Sequence, residues 1–406
     1  MQKIGSNRKW TEITGGVCAP SGFFANAVSC GLKKNAASER DFALIVSDRR
    51  CPTVCVYSQN EWVGAPVTVS KGHLKSGLGQ GIVLNGGVAN VFDENLAETL
   101  CKEVGKRAQI APKELIVAST GKIGERLAFS AFEKKIASLV EGLGDTPEKE
   151  AGVLETLGSE HSVAEEIAYS FELGNFTCKI GGVFKGNRHV CPNMATFLVF
   201  LTTDVNITRE MLQKALNTVV NDTFNLLSVD GISSPNDTVC MMANGKAGNC
   251  KIETEDSEYR KFCSALSALA SEICLRCIEN GAEGEKGVVC SVSGAKSKQA
   301  ARAVAKRVIE AIGMKSVTAK GRLDAESLLC AIGSVNAKLN VGEIQISLCS
   351  DGEEIILCDG GQIFSFAEES WKKMLGDRFA EVRVRLNGGN YSAMAYGRIL
   401  FRKTVE

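Results

Sequence analysis

The residues best suited to chemistry lie at the start of an apolar strand. Thr196 follows Pro192-Asn-Met-Ala195 and opens the apolar run of residues 197–201. A threonine hydroxyl is a weak nucleophile, but an α-amino group that is freed by cutting the chain just before it can act as its base. The α-amine pKa of about 7.7–8.0 suits proton transfer near neutral pH. Taken alone, a threonine at this position is most often an ordinary strand residue.

The residue before this threonine favours such a cut. Ala195 is small and leaves room for Thr196 Oγ1 to attack the carbonyl that precedes it. An N→O acyl shift followed by hydrolysis of the ester would then separate two chains. Common catalytic motifs of another kind are absent, because the sequence has no P-loop, no G-x-S-x-G elbow, no H-E-x-x-H and no G-x-G-x-x-G spacing.

Composition narrows the class of protein. The 406 residues carry 47 basic and 47 acidic side chains, so the net charge is zero and nucleic-acid or membrane binding is disfavoured. The start of the chain is polar, and no apolar run approaches the ~20 residues of a membrane helix, so we expect a cytoplasmic protein. Sixteen cysteines and three dispersed histidines lack zinc-finger spacing, so we expect reduced, packed thiols and no metal site.

Strands and helices alternate along the chain, which predicts an α/β protein. The best domain boundary is the glycine-rich segment 281–287, which divides a nucleophile domain, 1–280, from a C-terminal α/β domain, 285–406. The predicted elements are a strand at 41–47, a helix from Asp93 to 108, a strand at 114–118, helical spacing over 126–143, a glycine-rich turn over 181–189, a helix capped by Thr208, helices at 256–280 and 296–312 with Gly313 closing the second, and a hairpin around 351–352.

Several segments together resemble one known family. Beside residues 192–196, they are Lys185-Gly186, Thr202-Thr-Asp204, and residues 16–23, 43–48, 65–67, 85–90, 117–121, 229–231, 236–238 and 243–245. In these segments the chain resembles the ornithine acetyltransferases, or glutamate N-acetyltransferases, of the cyclic arginine pathway. The resemblance covers residues 15–250 firmly and continues more loosely to about 395.

The resemblance implies a layered αββα-like fold with a self-processing threonine. Cutting between Ala195 and Thr196 would give an α chain, 1–195, and a β chain, 196–406. The implied reaction moves an acetyl group from N2-acetylornithine to glutamate through an acetyl-threonine intermediate. No cofactor is required, although acetyl-CoA is an alternative donor. The implied assembly is an αβ heterodimer that pairs into a heterotetramer.

The resemblance also assigns roles to individual residues. Thr120 and Gly121 supply the oxyanion hole, and a strand that ends in a glycine turn can direct a hydroxyl and an N–H group to one point. Lys185 corresponds to a lysine whose ammonium pairs with a substrate carboxylate. Ser162 aligns with a substrate-contacting hydroxyl, and Glu283 corresponds to a substrate-contacting glutamate if its loop shifts by one residue.

The substrate-recognition segments differ more than the nucleophile segments. Residues 187–189 are Asn-Arg-His where the family has Ser-Gly-Met, residues 324–327 replace Asn-Trp-Gly-Arg, and the Asn-Ala-x-Tyr-x-Thr ending is missing. An acyltransferase of altered amine specificity therefore fits as well. Two further hypotheses are an N-terminal-nucleophile amidohydrolase, in which water accepts the acyl group, and a non-enzymatic relative that keeps the fold for assembly.

Overall fold

The structure is a computed structural model that describes residues 9–33, 39–159, 162–187, 197–228, 234–279, 285–318, 325–337, 339–350, 353–365 and 379–400. Its strands are β1 (Trp10–Ile13), β2 (Phe23–Val28), β3 (Phe42–Tyr57), β4 (Leu78–Asn85), β5 (Leu115–Ser119), β6 (Ser162–Leu173), β7 (Phe176–Asn187), β8 (Leu198–Thr203), β9 (Leu227–Ser228), β10 (Thr238–Ala243), β11 (Glu285–Ala295), β12 (Gln345–Ser350), β13 (Glu353–Asp359), β14 (Gln362–Ile363), β15 (Phe379–Arg385) and β16 (Tyr391–Leu400). Its helices are α1 (Ala65–His73), α2 (Glu94–Ala108), α3 (Ser130–Glu133), α4 (Ile136–Glu141), α5 (Pro147–Leu157), α6 (Arg209–Asp222), α7 (Ser257–Glu279), α8 (Lys298–Thr318) and α9 (Ala325–Gly333).

One long strand joins two layers of the first sheet. The strand order is β1-β6-β7-β8-β10-β3-β4-β5, and β2 pairs with β3. The first part of β3 pairs with β2 and β4, whereas its last residues pair with β10. The register of the β3–β4 pair shifts between Val46 and Cys51, and such irregularities bend a strand. As a result, β2–β5 form one layer, and β1, β6, β7, β8 and β10 form the other.

The alternation of side chains along the strands shows that the two layers face each other. On β4, Ile82 and Leu84 pack in the same buried cluster as Leu198 and Phe200 of β8. The intervening Val83 instead packs against α2 on the outer side of its layer. Because successive strand residues point to opposite faces, each of these strands is buried on both sides.

Helices cover both outer faces. Helices α6 and α7 pack on the layer that contains β8, and α1, α2 and α4 pack on the layer that contains β4. Val153 and Leu157 of α5 join the cluster between the layers. The order helix, sheet, sheet, helix confirms the predicted α/β class and αββα-like layering.

The C-terminal residues form a second sheet. Its order is β14-β13-β12-β15-β11-β16-β9, and α8 and α9 cover one face. The short β9 comes from the part of the chain before residue 280, so the division at 280–285 stays a prediction. The buried Arg398 of β16 donates from Nε to the carbonyl of Ile278 at 3.2 Å, which ties the sheet to the end of α7.

Several sequence-predicted elements are confirmed. Asp93 caps α2 by accepting a hydrogen bond from the Leu96 N–H at 2.9 Å, and Thr208 caps α6 by accepting one from Met211 at 3.3 Å. Strands β12 and β13 form the predicted antiparallel hairpin, whose turn residues 351–352 lie outside the described residues. In the described part of the chain, no helix has the length and apolar character that a membrane crossing requires.

Three local predictions are wrong. Residues 126–143 form the two short helices α3 and α4 rather than one, and α8 continues past Gly313 to Thr318. The predicted glycine-rich turn from residue 181 is strand up to residue 187. Gly181 and Gly182 serve close packing there: a Cβ on Gly181 would overlap the Gly16 carbonyl, and one on Gly182 would lie 2.5 Å from Leu201.

Candidate active site

Lys185 and Thr120 meet between the two sheet layers. Lys185 lies near the end of β7, and its side chain shares the inward face with Val183, a member of the buried central cluster. Thr120 follows β5 in the opposite layer, where its N–H donates to the Asn85 carbonyl at 3.0 Å. Lys185 Nζ donates to Thr120 Oγ1 at 2.8 Å, and both side chains are buried. Residues distant in sequence thus form one polar contact in an apolar layer.

Burial destabilises the charged form of the Lys185 side chain. Desolvation lowers the pKa of Lys185 from 10.5 to about 8, and the nearby charge of Lys33 acts in the same direction. No carboxylate in the described ranges lies within ion-pair distance of its ammonium. A substrate carboxylate at this point would therefore be strongly favoured, because it would supply the missing opposite charge.

The turn after Thr120 requires glycine. Gly121 has a φ of +130°, and a Cβ at this position would overlap the backbone of Gly87. Lys122 N–H donates to the Gly87 carbonyl at 3.0 Å, which holds the turn against the loop that follows β4. Among the described residues, none accepts a hydrogen bond from the Gly121 N–H. A hydroxyl and a backbone N–H therefore stand side by side.

A short turn before β10 contacts both the start of β8 and the end of β5. Asp237 Oδ1 accepts a hydrogen bond from the Phe197 N–H at 2.7 Å, and Asp237 Oδ2 accepts one from Ser234 at 3.3 Å. Asn236 Nδ2 donates to the carbonyls of Ala89, at 2.7 Å, and Ser119, at 3.2 Å. Burial raises the pKa of Asp237 well above its usual range, although the two N–H donors oppose this shift.

The remaining predicted residues are less connected. Thr196, Ala195 and Glu283 lie outside the described residues. Ser162 opens β6, and its hydroxyl lies 2.7 Å from the Ser159 hydroxyl. Because Ala164 pairs with Lys185, Ser162 lies on the same sheet face two residues farther along. The structure therefore brings Thr120, Gly121 and Lys185 together, with Ser162 at the edge of this group.

The described residues include no cluster of three histidine, cysteine or acidic side chains that could hold a metal ion. His73 is buried away from the site, with Nδ1 2.8 Å from the Leu115 carbonyl and Nε2 3.0 Å from a Glu98 oxygen. His161 and His189 lie outside the described residues.

The sequence did not reveal the contacts of the turn at residues 236–237. These residues matched the family, but nothing assigned them contacts. The available signal was an acid placed directly before an apolar strand, a pattern that suggests a buried carboxylate with backbone N–H partners. The Lys185–Thr120 contact could not be read from spacing, because it depends on how the two layers face each other.

Between the two layers of this αββα sandwich, the Thr120 hydroxyl, the Gly121 N–H and the Lys185 ammonium can stabilise negative charge that develops on an oxygen, as acyl transfer requires. The model of the ArgJ family matches residues 24–405, and the chain belongs to this family. This finding confirms the resemblance seen in the sequence.

Two relatives match this chain over almost its whole length, and a solved structure matches part of it. The arginine biosynthesis bifunctional protein ArgJ 1 of Clostridium acetobutylicum is 31% identical over 380 residues, covering 92% of each chain. The arginine biosynthesis bifunctional protein ArgJ of Oceanobacillus iheyensis is 31% identical over 388 residues, covering 94% of this chain and 93% of its own. A crystal structure of ArgJ from Bacillus halodurans is 25% identical, with a TM-score of 0.40, over 43% of this chain and 92% of its own.

Proposed function

We propose that this protein is an acetyltransferase of arginine biosynthesis that moves an acetyl group from N2-acetylornithine to glutamate. The chain first cuts itself between Ala195 and Thr196, and Thr196 then carries the acetyl group. The observation that supports this most directly is the 2.8 Å contact between Lys185 Nζ and Thr120 Oγ1. It unites a proposed substrate-binding cation and a proposed oxyanion donor beside β8, which begins two residues after Thr196.

Strand register supports Thr196 as the nucleophile. Lys185 pairs with Leu198, so the two side chains share one face of the sheet, and Leu198 packs between the layers. Phe197 packs in the outer cluster instead. Thr196 stands two positions before Leu198 in the sequence, so the proposed nucleophile is close along the chain to the strand that pairs with Lys185.

The proposed chemistry has two halves. Thr196 Oγ1 attacks the acetamide carbonyl while the α-amino group of Thr196 takes the hydroxyl proton. Thr120 and the Gly121 N–H stabilise the oxyanion, and ornithine leaves with the returned proton. The amine of glutamate then attacks the acetyl ester and regenerates the threonine. The acyl group stays on the protein throughout, so this route needs no cofactor, and acetyl-CoA is an alternative donor.

Lys185 binds the α-carboxylate of the amino-acid substrate in this proposal. A carboxylate beside the ammonium would oppose the desolvation that lowers the pKa of Lys185 to about 8. Ser162 and Glu283 are weaker candidates for contacts with the rest of the substrate. The proposed assembly is the αβ heterodimer, paired into a heterotetramer.

Amidohydrolysis is the second candidate, and altered amine specificity is a variant of the first. The observation that favours them is the changed recognition segment, Asn-Arg-His at residues 187–189. Incubation with N2-acetylornithine, with and without glutamate, separates these reactions. N-acetylglutamate indicates transfer to glutamate, another acetylated amine indicates altered specificity, and free acetate in both incubations indicates hydrolysis.

The test of the nucleophile uses Thr196→Ala and Thr196→Ser. We expect Thr196→Ala to remain one 43.3 kDa chain by intact-mass spectrometry and to lose acetyl transfer, because cutting and catalysis use the same hydroxyl. Thr196→Ser should keep part of both, since it keeps a hydroxyl. A cut and active Thr196→Ala protein would contradict the proposal, and an uncut yet active wild type would contradict self-processing.

A further inference from the structure

The turn before β10 contacts both halves of the proposed machinery. We propose that Asn236 and Asp237 are positioning residues that hold the nucleophile strand and the oxyanion turn at a fixed separation. This inference rests on the proposed function, because it assigns these residues to the same acyl-transfer site.

Asp237 holds the residue that directly follows Thr196. The Phe197 N–H donates to Asp237 Oδ1 at 2.7 Å, and the Phe197 carbonyl accepts from the Thr238 N–H at 3.1 Å. These two hydrogen bonds fix the backbone of Phe197, the residue that directly follows Thr196 in the sequence. Asp237 is fully buried, which leaves its carboxyl group little freedom to move.

Asn236 holds the oxyanion turn on both sides. Its Nδ2 donates to the carbonyl of Ser119, the residue before Thr120. The same Nδ2 donates to the Ala89 carbonyl, and the Ala89 N–H donates to the Lys122 carbonyl at 2.9 Å. Ser119 and Lys122 flank Thr120 and Gly121. The amide group therefore fixes both ends of the two-residue segment that would stabilise the oxyanion.

The two contacts are coupled because their residues are adjacent in the chain. A shift of the turn at 236–237 moves the anchor of β8 and the anchor of the oxyanion turn together. Acyl transfer needs the nucleophile and the oxyanion donors aligned, and a misplacement of about 1 Å can cost roughly 100-fold in rate. If the contacts of Asn236 and Asp237 are lost, we therefore expect a low kcat with a nearly unchanged KM.

Asp204 provides a matched control at the other end of β8. It is also a buried acid, and it also accepts two backbone N–H groups, from Lys179 at 2.7 Å and from Ser21 at 3.3 Å. Burial raises the pKa of both carboxyl groups. Asp204 differs in being placed after β8, away from Thr120 and Lys185. A purely structural role predicts equal effects for the two acids.

The first experiment compares Asp237→Ala with Asp204→Ala. We expect similar losses of thermal stability, because each variant leaves two backbone N–H groups without their acceptor. We expect Asp237→Ala to lower kcat and the rate of chain cutting by about 100-fold, with KM within about threefold, while Asp204→Ala stays within about threefold in all three. Equal kcat losses, or an unchanged kcat in Asp237→Ala, overturn the inference.

A second experiment tests the Asn236 half without touching the acid. Gly64 has a φ of −72°, which alanine adopts freely, but a Cβ there would overlap Asn236 Oδ1. We expect Gly64→Ala to lower kcat by about tenfold. In an Asn236→Ala background this overlap is gone and only the Pro235 carbonyl, at 3.3 Å, stays close, so Gly64→Ala should cause little additional loss. Independent, multiplying losses would overturn the Asn236 role even if Asp237→Ala proved too unstable to assay.

The two levels of the proposal fail in different ways. If the wild-type chain neither cuts itself nor transfers acetyl groups, the proposed function is wrong, and so is the positioning role of Asn236 and Asp237. If the wild type does both while Asp237→Ala and Asp204→Ala have equal kcat values, only the positioning role is wrong.

Discussion

At the scale of single residues, Lys185 combines an energetic cost with a chemical use. Its ammonium is buried between two sheet layers, and the contact described for it is the hydroxyl of Thr120. A stability-optimised core would place an apolar side chain here, because a buried charge without an opposite charge is unfavourable. Sites of this kind are retained where binding or catalysis needs them.

The cost of Lys185 should be visible as a pH dependence of stability. The pKa of Lys185 is about 8 in the folded chain, against 10.5 when unfolded. Between these values the unfolded chain binds more protons, so the unfolding free energy rises with pH. Relative to Lys185→Met, the wild type should gain up to roughly 3 kcal/mol from pH 7 to pH 10.5. Denaturant titrations of both proteins at several pH values measure this difference.

The control for this experiment is Lys122→Met. The Lys122 side chain is 72% exposed, so its replacement should leave the pH dependence of stability unchanged. A pH-independent difference between the wild type and Lys185→Met would show that the ammonium is not desolvated.

Gly121 allows a second residue-scale prediction. Gly121→Ala combines a positive φ with overlap of the Gly87 backbone, so the turn must move. We expect acetyl transfer to fall at least 100-fold, since displacing an oxyanion donor has that typical effect. Gly124→Ala is the matched control, because Gly124 also has a positive φ, of +93°, but has open space around it. Gly124→Ala should lose about 1 kcal/mol of stability and little activity. Equal activity losses in the two variants would show that backbone strain alone, rather than a displaced oxyanion donor, causes the loss in Gly121→Ala.

At the scale of elements, the sequence predicted correctly those features that depend only on residues close together in the chain. The caps at Asp93 and Thr208 were predictable, because a side-chain oxygen at a helix start accepts a nearby N–H whatever the rest of the fold does. The segment at 126–143 was not, since its helical spacing does not reveal the break between α3 and α4. The glycines of β7 were also wrongly predicted to form a turn. Glycine is needed there for close packing against neighbours that are distant in sequence.

The same reasoning separates the predictable part of the site from the rest. Thr120, Gly121 and Lys185 carried a signal in their residue types and in the resemblance. Their mutual distance carried none, because it is set by the bend in β3 that stacks one layer on the other. Asp237 was hidden for a similar reason, since its partner Phe197 belongs to a different strand.

One glycine on β7 and one on α1 give an element-scale prediction with opposite signs. Gly181→Ala should destabilise the protein by roughly 1–3 kcal/mol, because the new Cβ would overlap the Gly16 carbonyl. Gly72→Ala, on the exposed side of α1, should stabilise it by about 0.5–1 kcal/mol, since alanine is the better helix former and nothing lies nearby. Thermal unfolding of both variants gives the comparison, and destabilisation of equal size in both would contradict this account of close packing.

At the scale of the whole molecule, β8 lies inside the first sheet rather than at its edge. It pairs antiparallel with β7, which precedes the proposed cut, and parallel with β10, which follows it. Strand β3, also from before the cut, pairs with β10 on the other side. The two chains of the processed protein would therefore share one hydrogen-bonded sheet and a common core.

We therefore expect processing to leave the native assembly intact. Size-exclusion chromatography in native buffer should give one elution volume for the processed wild type and for uncut Thr196→Ala. Two separate chains should be found only in denaturant, because separation would expose the edge of β8 that pairs with β7 and the edge of β10 that pairs with β3. Release of the 196–406 chain in native buffer would contradict this interleaved arrangement.

The turn at Asn236 and Asp237 also has a consequence for events on the ribosome. Thr120, Lys185 and Thr196 are all synthesised before these two residues are added to the nascent polypeptide. A translation product that stops short of residue 236 contains the proposed reactive groups but not the amide and carboxyl that hold them. Scission should therefore await synthesis of that later stretch, so prematurely terminated products should accumulate unbroken.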